Sequence, residues 1–406
     1  MTINQSPSDY GVVDGAIGAS VAPAMEHFAE IDRLREQYRY FWNTEGPGYW
    51  VLTRFEDIRE AFQDPATFCN HSIVATDPDP EYRFLPSFID PPEHMEYRRL
   101  MNRWFAPAAV EKMLPTIHMA ARETVEGIVD QGSCEFTTSF ADRYPVRVFL
   151  ASMGLSTTDD ADFFVSCVRR LSHHFNDPDM AEGGESPVMG AWNDIANYWI
   201  DVIADRRKNP LDSDVDFVTL LTQSKLGGER PVPDDEIRDI CVTLTIGSLD
   251  TLKSQLGWCF YHLATHPADR RRLVEDPSLT PGAVEEFMRA YPIVSMARKV
   301  TRDVDFHGCP MKKDQMVLVS NQSACRDPRM FPNAADVIID RSPNRHIAFG
   351  ASEHRCLGSH LARAELRIAI DEWHELIPDY RVATDEQLMA HGGQISLLEL
   401  PLAWER

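Results

Sequence analysis

Between Pro233 and His266 the sequence carries an unbroken helical pattern, opened by proline and three acids (Asp234, Asp235, Glu236) and closed just before Pro267. Proline presets the backbone for a first turn, and the unsatisfied N–H groups there favour negative charge. At 1.5 Å per residue such a helix is about 50 Å long, so the rest of the chain must pack around it. Its middle reads Thr243, Leu244, Thr245, Ile246, Gly247, Ser248, Leu249, Asp250, Thr251. Placing glycine, aspartate and several hydroxyls at the centre of a buried helix costs stability. Two readings follow. The glycine serves packing while the hydroxyls bond to the preceding turn, or the segment is a notch where polar chemistry meets an apolar pocket.

Helical patterns dominate elsewhere too, with short β-like stretches at Tyr49–Leu52, Val304–Phe306 and Met316–Ser320. Residues 1–25 are small, polar and punctuated, and read as a loosely tied arm. Residues 176–187 read as a loop by composition and charge. No repeat or linker divides the remainder. The expectation is a mainly α protein with small β-sheets, residues 26–406 forming a single domain.

Acids outnumber bases 63 to 40, for a formal charge of −23, which is the wrong sign for a nucleic-acid partner. No apolar run reaches membrane-spanning length, and the first basic residue is Arg33, so no signal or transit peptide is read. A cytoplasmic location is expected. The eight cysteines include no CxxC pair, which suggests neither a disulfide framework nor a zinc module.

One cysteine has a distinctive setting. Cys356 lies in a stretch containing His346, Phe349, Gly350, Ser352, His354, Arg355 and Gly358, followed by an amphipathic pattern with Leu366, Ile370, Trp373 and Ile377. A thiol at a turn feeding a helix N-terminus is biased toward thiolate by the backbone N–H groups and the dipole.

This loop resembles the haem-binding loop of the cytochrome P450 family, Phe-Gly-x-Gly-x-His/Arg-x-Cys-x-Gly. Phe349, Gly350, His354, Cys356 and Gly358 match it, while Ser352 stands where glycine is usual. Upstream, Glu286 and Arg289 match the family's Glu-x-x-Arg, which Arg341 is expected to complete. Gly247 to Thr251 resembles the acid–alcohol motif of the central helix. Asp90-Pro91-Pro92-Glu93-His94 through Arg98 is a further match, and the resemblance is closest to soluble bacterial members of the camphor-hydroxylase type.

The resemblance implies the cytochrome P450 fold and haem b, ligated by the Cys356 thiolate, which favours cleavage of bound dioxygen. It implies Asp250 and Thr251 as catalytic proton donors, with room for dioxygen at Gly247. It nominates His94, Arg98, Arg298 and His346 for the haem carboxylates. It implies a small apolar pocket drawn from Phe84, Ser87, Thr243, Ile246, Val294 and Ile395, with Tyr82 donating to a ketone. Such a pocket suits a terpenoid or norisoprenoid ketone of camphor or ionone size; Thr243 and Met296 argue against camphor itself.

The chain has neither GxGxxG nor a four-cysteine cluster, so electrons come from elsewhere. The resemblance implies a [2Fe–2S] ferredoxin with an NADH-dependent reductase, steered by a basic patch of Arg98, Arg99, Arg103, Arg345, Arg355 and Arg363. A monomer is expected. The alternatives are a peroxide-using or non-oxygenating haem-thiolate enzyme, which would not need Asp250 and Thr251, and a haem-based sensor, for which no output domain is visible.

Overall fold

The computed structural model describes residues 11–15, 20–174 and 187–406. They gather into two compact units. One comprises Met1–Met95, Gly282–Cys356 and Gln387–Ser396; the other comprises Glu96–Pro281, Leu357–Glu386 and Leu397–Arg406.

The first unit is built on a six-stranded mixed sheet. Tyr49–Leu52 is an apolar run of two aromatics, valine and leucine buried on both faces, which suits an interior strand. It pairs in parallel with Met316–Val319 and antiparallel with Tyr40–Asn43. The two-residue period sorts its side chains. Trp50 and Leu52 join one apolar cluster with Val317, Val319 and Phe68, whereas Tyr49 and Val51 join another with Phe41, Ala297 and Met316. Met296–Val300 lies antiparallel beside Met316–Val319, pairing Arg298 with Val317.

The expected N-terminal arm is tied down. Gly11–Val13 pairs in parallel with Tyr40–Asn43, and Val21–Pro23 pairs antiparallel with Met389–His391. Small, polar composition reads as loose, yet backbone ladders to distant strands hold these residues. The expected loop at 176–187 falls, except for Pro187, outside the described residues.

The second unit is helical around Asp234–Thr265, with Pro233 as its N-cap and His266 as its C-cap. Apolar residues are buried on every side, among them Ile240, Leu256, Trp258 and Phe260, as befits a helix enclosed by its neighbours. Pro187–Lys208 packs beside it, and Pro107–Glu126 packs against Ser359–Leu376. The latter helix buries Leu366, Ile370 and Trp373, with Ile377 as its buried C-cap. Asp142, just after a π-turn at Thr137–Ala141, receives Lys253 at 2.8 Å and Arg169 at 2.6 Å. A three-stranded sheet of Ser133–Glu135, Pro401–Ala403 and Arg381–Val382 completes this unit.

Candidate active site

In the first unit the segment before Cys356 closes on itself. The Cys356 N–H donates to the Phe349 carbonyl at 2.9 Å, and the Gly350 N–H to the Ile347 carbonyl at 2.9 Å. Gly350 adopts φ 70° and Ser352 φ 63°, both left-handed. The turn that would ordinarily use glycine is therefore kept with serine, at a cost of roughly 1–2 kcal/mol. Ser352 Oγ donates to the Glu353 carboxylate, a local bond that offsets part of that strain.

Among the eight cysteines only Cys356 is exposed, and none forms a disulfide. Burial raises the thiol pKa of each of the other seven, Cys69, Cys134, Cys167, Cys241, Cys259, Cys309 and Cys325. Those seven are held as thiols. Cys356 stands at the surface, two residues before Gly358, the N-cap of Ser359–Leu376, where a thiolate is favoured.

Arg298 is 4% exposed. Its Nη1 donates to the Ala297 carbonyl at 2.7 Å, and its guanidinium lies 5.1 Å from the centre of the Phe62 ring. Among the described residues no carboxylate reaches it within ion-pair distance, and burial lowers its pKa to about 10. A Cβ placed on Gly350 would stand 4.0 Å from the same Phe62 ring. Phe62, which nothing in the sequence singled out, thus joins the cysteine loop to this guanidinium. A buried cation without a counter-charge is costly, and an anionic group beside it removes that cost.

His94 is buried and stacks on His354, ring centres 3.9 Å apart. His354 in turn lies 3.9 Å from Asp90, which Asn70 holds through its backbone N–H and its Nδ2. Arg98 follows His94 one turn along the helix Glu93–Phe105 and is half-buried.

His346, nominated for a haem carboxylate, has its Nε2 3.0 Å from Glu285, and its Nδ1 accepts the Ala348 N–H at 3.2 Å.

Glu286 and Arg289 form a fully buried pair at 2.8 Å, and Arg341 joins Glu286 at 3.0 Å. This is the expected triad. Two members the sequence did not reveal are the Ile338 N–H at 2.8 Å and Asn344 Nδ2 at 3.1 Å.

In the second unit the hydroxyls of the central helix bond to the preceding turn. Thr243 donates to the Asp239 carbonyl, Thr245 to Cys241, Thr251 to Gly247 at 2.6 Å, and Ser254 to Asp250. Gly247, however, is exposed, and among the described residues a Cβ there would meet no atom within 4 Å beyond its own stretch of helix. The hydroxyls follow the plain reading and the glycine follows the notch reading. Thr243, Ile246, Asp250 and Thr251 are half-buried around it.

Of the expected pocket residues in the first unit, Phe84 is buried and Ser87 and Val294 are half-buried. Ile395 is buried, its N–H donating to the Ile293 carbonyl at 2.9 Å. Gln322 Nε2 ties Ile293 to Gly393, 3.0 Å from each carbonyl. Tyr82, Phe84 and Phe88 form an aromatic trio with ring centres 5.3–5.9 Å apart. Burial and the Asp77 carboxylate push the Tyr82 phenol pKa up to about 12.

Arg99, Arg103, Arg345 and Arg355 are exposed, while Arg363 is half-buried and donates to the Ser359 carbonyl.

The sequence matches the family described as Cytochrome P450 over residues 185–387. The probable cytochrome P450 127A1 of Sinorhizobium fredii (strain NBRC 101917 / NGR234) is 33% identical over 365 residues, 89% of this chain and 84% of that protein. The chain belongs to the cytochrome P450 family. The mycinamicin IV hydroxylase/epoxidase of Micromonospora griseorubida is 30% identical over 92% of each chain. The crystal structure of cytochrome P450 CYP101C1 superposes over the whole of both chains with a TM-score of 0.86 at 29% identity. The CYP101 P450s are of the camphor-hydroxylase type.

The protein is thus a P450 monooxygenase, and its cofactor is haem with a cysteine thiolate ligand. The residues present fit that group: Cys356 is the thiolate candidate, and Arg298 is a buried cation lacking the anion that a haem carboxylate supplies. Among the described residues no helix is long and apolar enough to cross a membrane.

Proposed function

We propose that this P450 takes two electrons from an external [2Fe–2S] ferredoxin, served by an NADH-dependent reductase, and hydroxylates a small apolar compound of terpenoid or norisoprenoid size. The exposed Arg99, Arg103, Arg345 and Arg355 on a chain of net charge −23 support an acidic partner drawn to local basic surface. Phe84, Ile246, Val294 and Ile395 support an apolar substrate. Tyr82, half-buried beside Asp77, is the hydroxyl this reading assigns to a ketone oxygen of the substrate.

The haem, when bound, supplies dioxygen activation and oxidation of an unactivated C–H bond. The chain's own residues do the rest. Cys356 would supply the thiolate ligand and its electron density, and Arg298 would hold a haem carboxylate. Thr251 keeps its proton on the Gly247 carbonyl; rotating that hydroxyl outward presents a donor beside the open position at Gly247. Asp250, adjacent and half-buried, replenishes the proton from solvent. The Thr251 hydroxyl beside an empty glycine position is the observation that carries this reading.

The test is the Thr251→Ala variant of the reconstituted holoenzyme. Substrate binding, followed by the haem spin-state shift, should be retained while electrons are diverted from product into hydrogen peroxide. Native coupling in Thr251→Ala would reject the relay.

A further inference from the structure

The central helix Asp234–Thr265 is weakened and open where Gly247–Thr251 lies. Glycine costs about 1 kcal/mol in a helix interior, and each hydroxyl bonded back to the preceding turn loosens the helix slightly. Thr243, Thr245, Thr251 and Ser254 all bond in this way. Gly247 is exposed, and Thr243, Ile246, Asp250 and Thr251 are half-buried beside it. A stretch built like this needs something else to hold it still.

Two buried polar contacts grip it from behind. On the N-terminal side of Gly247, Trp199 of the helix Pro187–Lys208 is fully buried, and its Nε1 donates to Thr245 Oγ1 at 3.0 Å. On the C-terminal side, the Lys253 ammonium lies 2.8 Å from Asp142 Oδ1, the two side chains being 7% and 2% exposed. At about 100° per residue, Thr245 and Lys253 stand about 160° and 120° around the axis from Gly247. Lysine is rarely buried, and a buried ion pair is often no more stabilising than apolar residues of the same size. What the pair supplies is direction, because an ammonium and a carboxylate must meet where apolar side chains could slide.

We propose that Trp199 and Lys253 are positioning residues. They bracket residues 245–253 and hold that stretch in one placement, so that the Thr251 hydroxyl turns outward at Gly247 while the helix stays fixed. The proposal rests on the reading of Thr251 and Asp250 as the proton relay.

Asp142 carries an internal control. Its Oδ2 accepts Arg169 Nε at 2.6 Å, from the helix Ala161–His174. Lys253→Met and Arg169→Gln each break one of two ion pairs on the same carboxylate and leave the other, so neither strands Asp142 without a cation. Only Lys253 belongs to the central helix. Trp199→Phe removes an N–H donor and no charge, which separates placement from electrostatics.

The first readout is hydrogen exchange of the haem-loaded enzyme, resolved along the central helix by mass spectrometry. Trp199→Phe and Lys253→Met should each speed exchange of residues 245–253 several-fold and leave Trp258–Leu263 of the same helix unchanged. Arg169→Gln should alter neither stretch, and Lys253→Arg should behave as the wild type. The second readout, with β-ionone as the probe substrate, is the share of consumed electrons recovered as hydrogen peroxide. It should rise in Trp199→Phe and Lys253→Met toward the level of Thr251→Ala, with the spin-state shift retained, and stay native in Arg169→Gln. Unchanged exchange in both Trp199→Phe and Lys253→Met, or an equal rise in Arg169→Gln, overturns the bracket whatever turnover shows. Uncoupling in Thr251→Ala with native coupling in Trp199→Phe and Lys253→Met rejects the bracket alone. Native coupling in Thr251→Ala rejects the relay, and with it the purpose assigned to the bracket. Carbon monoxide binding establishes that each variant keeps its haem; should Lys253→Met lose it, Trp199→Phe decides the question.

Discussion

Exchanging Glu286 for glutamine replaces one carboxylate oxygen with an amide nitrogen and leaves shape almost unchanged, yet the consequence should be large. Oε1 accepts from Arg289 Nη2 and the Ile338 N–H, each at 2.8 Å, and Oε2 accepts from Arg289 Nε at 2.8 Å and Asn344 Nδ2 at 3.1 Å. Arg341 Nε lies 3.0 Å from both oxygens. Whichever way the amide turns, its nitrogen faces two donors that lose their acceptor. Two guanidinium groups also lose their counter-charge, since among the described residues Glu286 is the carboxylate paired with each of them. Breaking a buried pair in this way typically costs about 3–5 kcal/mol, a large share of the roughly 5–15 kcal/mol by which domains are stable. Urea unfolding followed by circular dichroism measures the loss as a lower midpoint at constant slope. Replacing Glu286, Arg289 and Arg341 together with leucine and methionines should cost less than Glu286→Gln alone, because no charge is then stranded. A loss below about 1 kcal/mol for Glu286→Gln would refute the view that this carboxylate is the hub of the triad.

Three further outcomes are expected. Ser352→Gly should raise the thermal midpoint of the protein by relieving a left-handed φ of 63°, a gain of about 1 kcal/mol; no gain would mean that the bond to Glu353 already offsets the strain. Arg298→Met should stabilise the apoprotein by roughly 1–3 kcal/mol while weakening haem retention, because the guanidinium is buried without an anion until a carboxylate arrives; changes of the same sign in both measurements would reject that role. Burial and the nearby Arg270 charge lower the His374 pKa from the ordinary imidazole value of 6.5 to about 3. Its depressed value contributes stability that is full above pH 6.5 and is lost progressively toward pH 3, since the unfolded state takes up the proton first. His374→Gln should flatten the acid side of the stability profile in that window, and an unchanged slope would show that another group carries it.

Much of this protein is legible without coordinates wherever the signal is local. The ends of the central helix follow from Pro233, three acids and Pro267; the strands Tyr49–Leu52 and Val304–Phe306 follow from their composition and length; the cysteine loop follows from residue spacing. Each depends on interactions a few residues apart, which one stretch of chain contains in full. Arg341 was identified only through family resemblance, because its bond to Glu286 spans 55 positions and leaves no mark on either segment.

Partner choice over such distances is what the tertiary structure alone decided. Residues 11–13 and 21–23 read as a loose arm, yet they are strands because residues 41–43 and 389–391 present unpaired backbone to them. His346 has Glu285 3.0 Å from its Nε2, a partner 61 positions away that neither segment marks. Phe62 is unremarkable in sequence and becomes significant only when the fold sets the buried Arg298 guanidinium against its ring. Periodicity and capping determine where a helix or strand forms, because backbone geometry makes them short-range. Which polar group receives a given donor depends on burial and on competition among acceptors brought together by folding, and no stretch of sequence contains all the competitors.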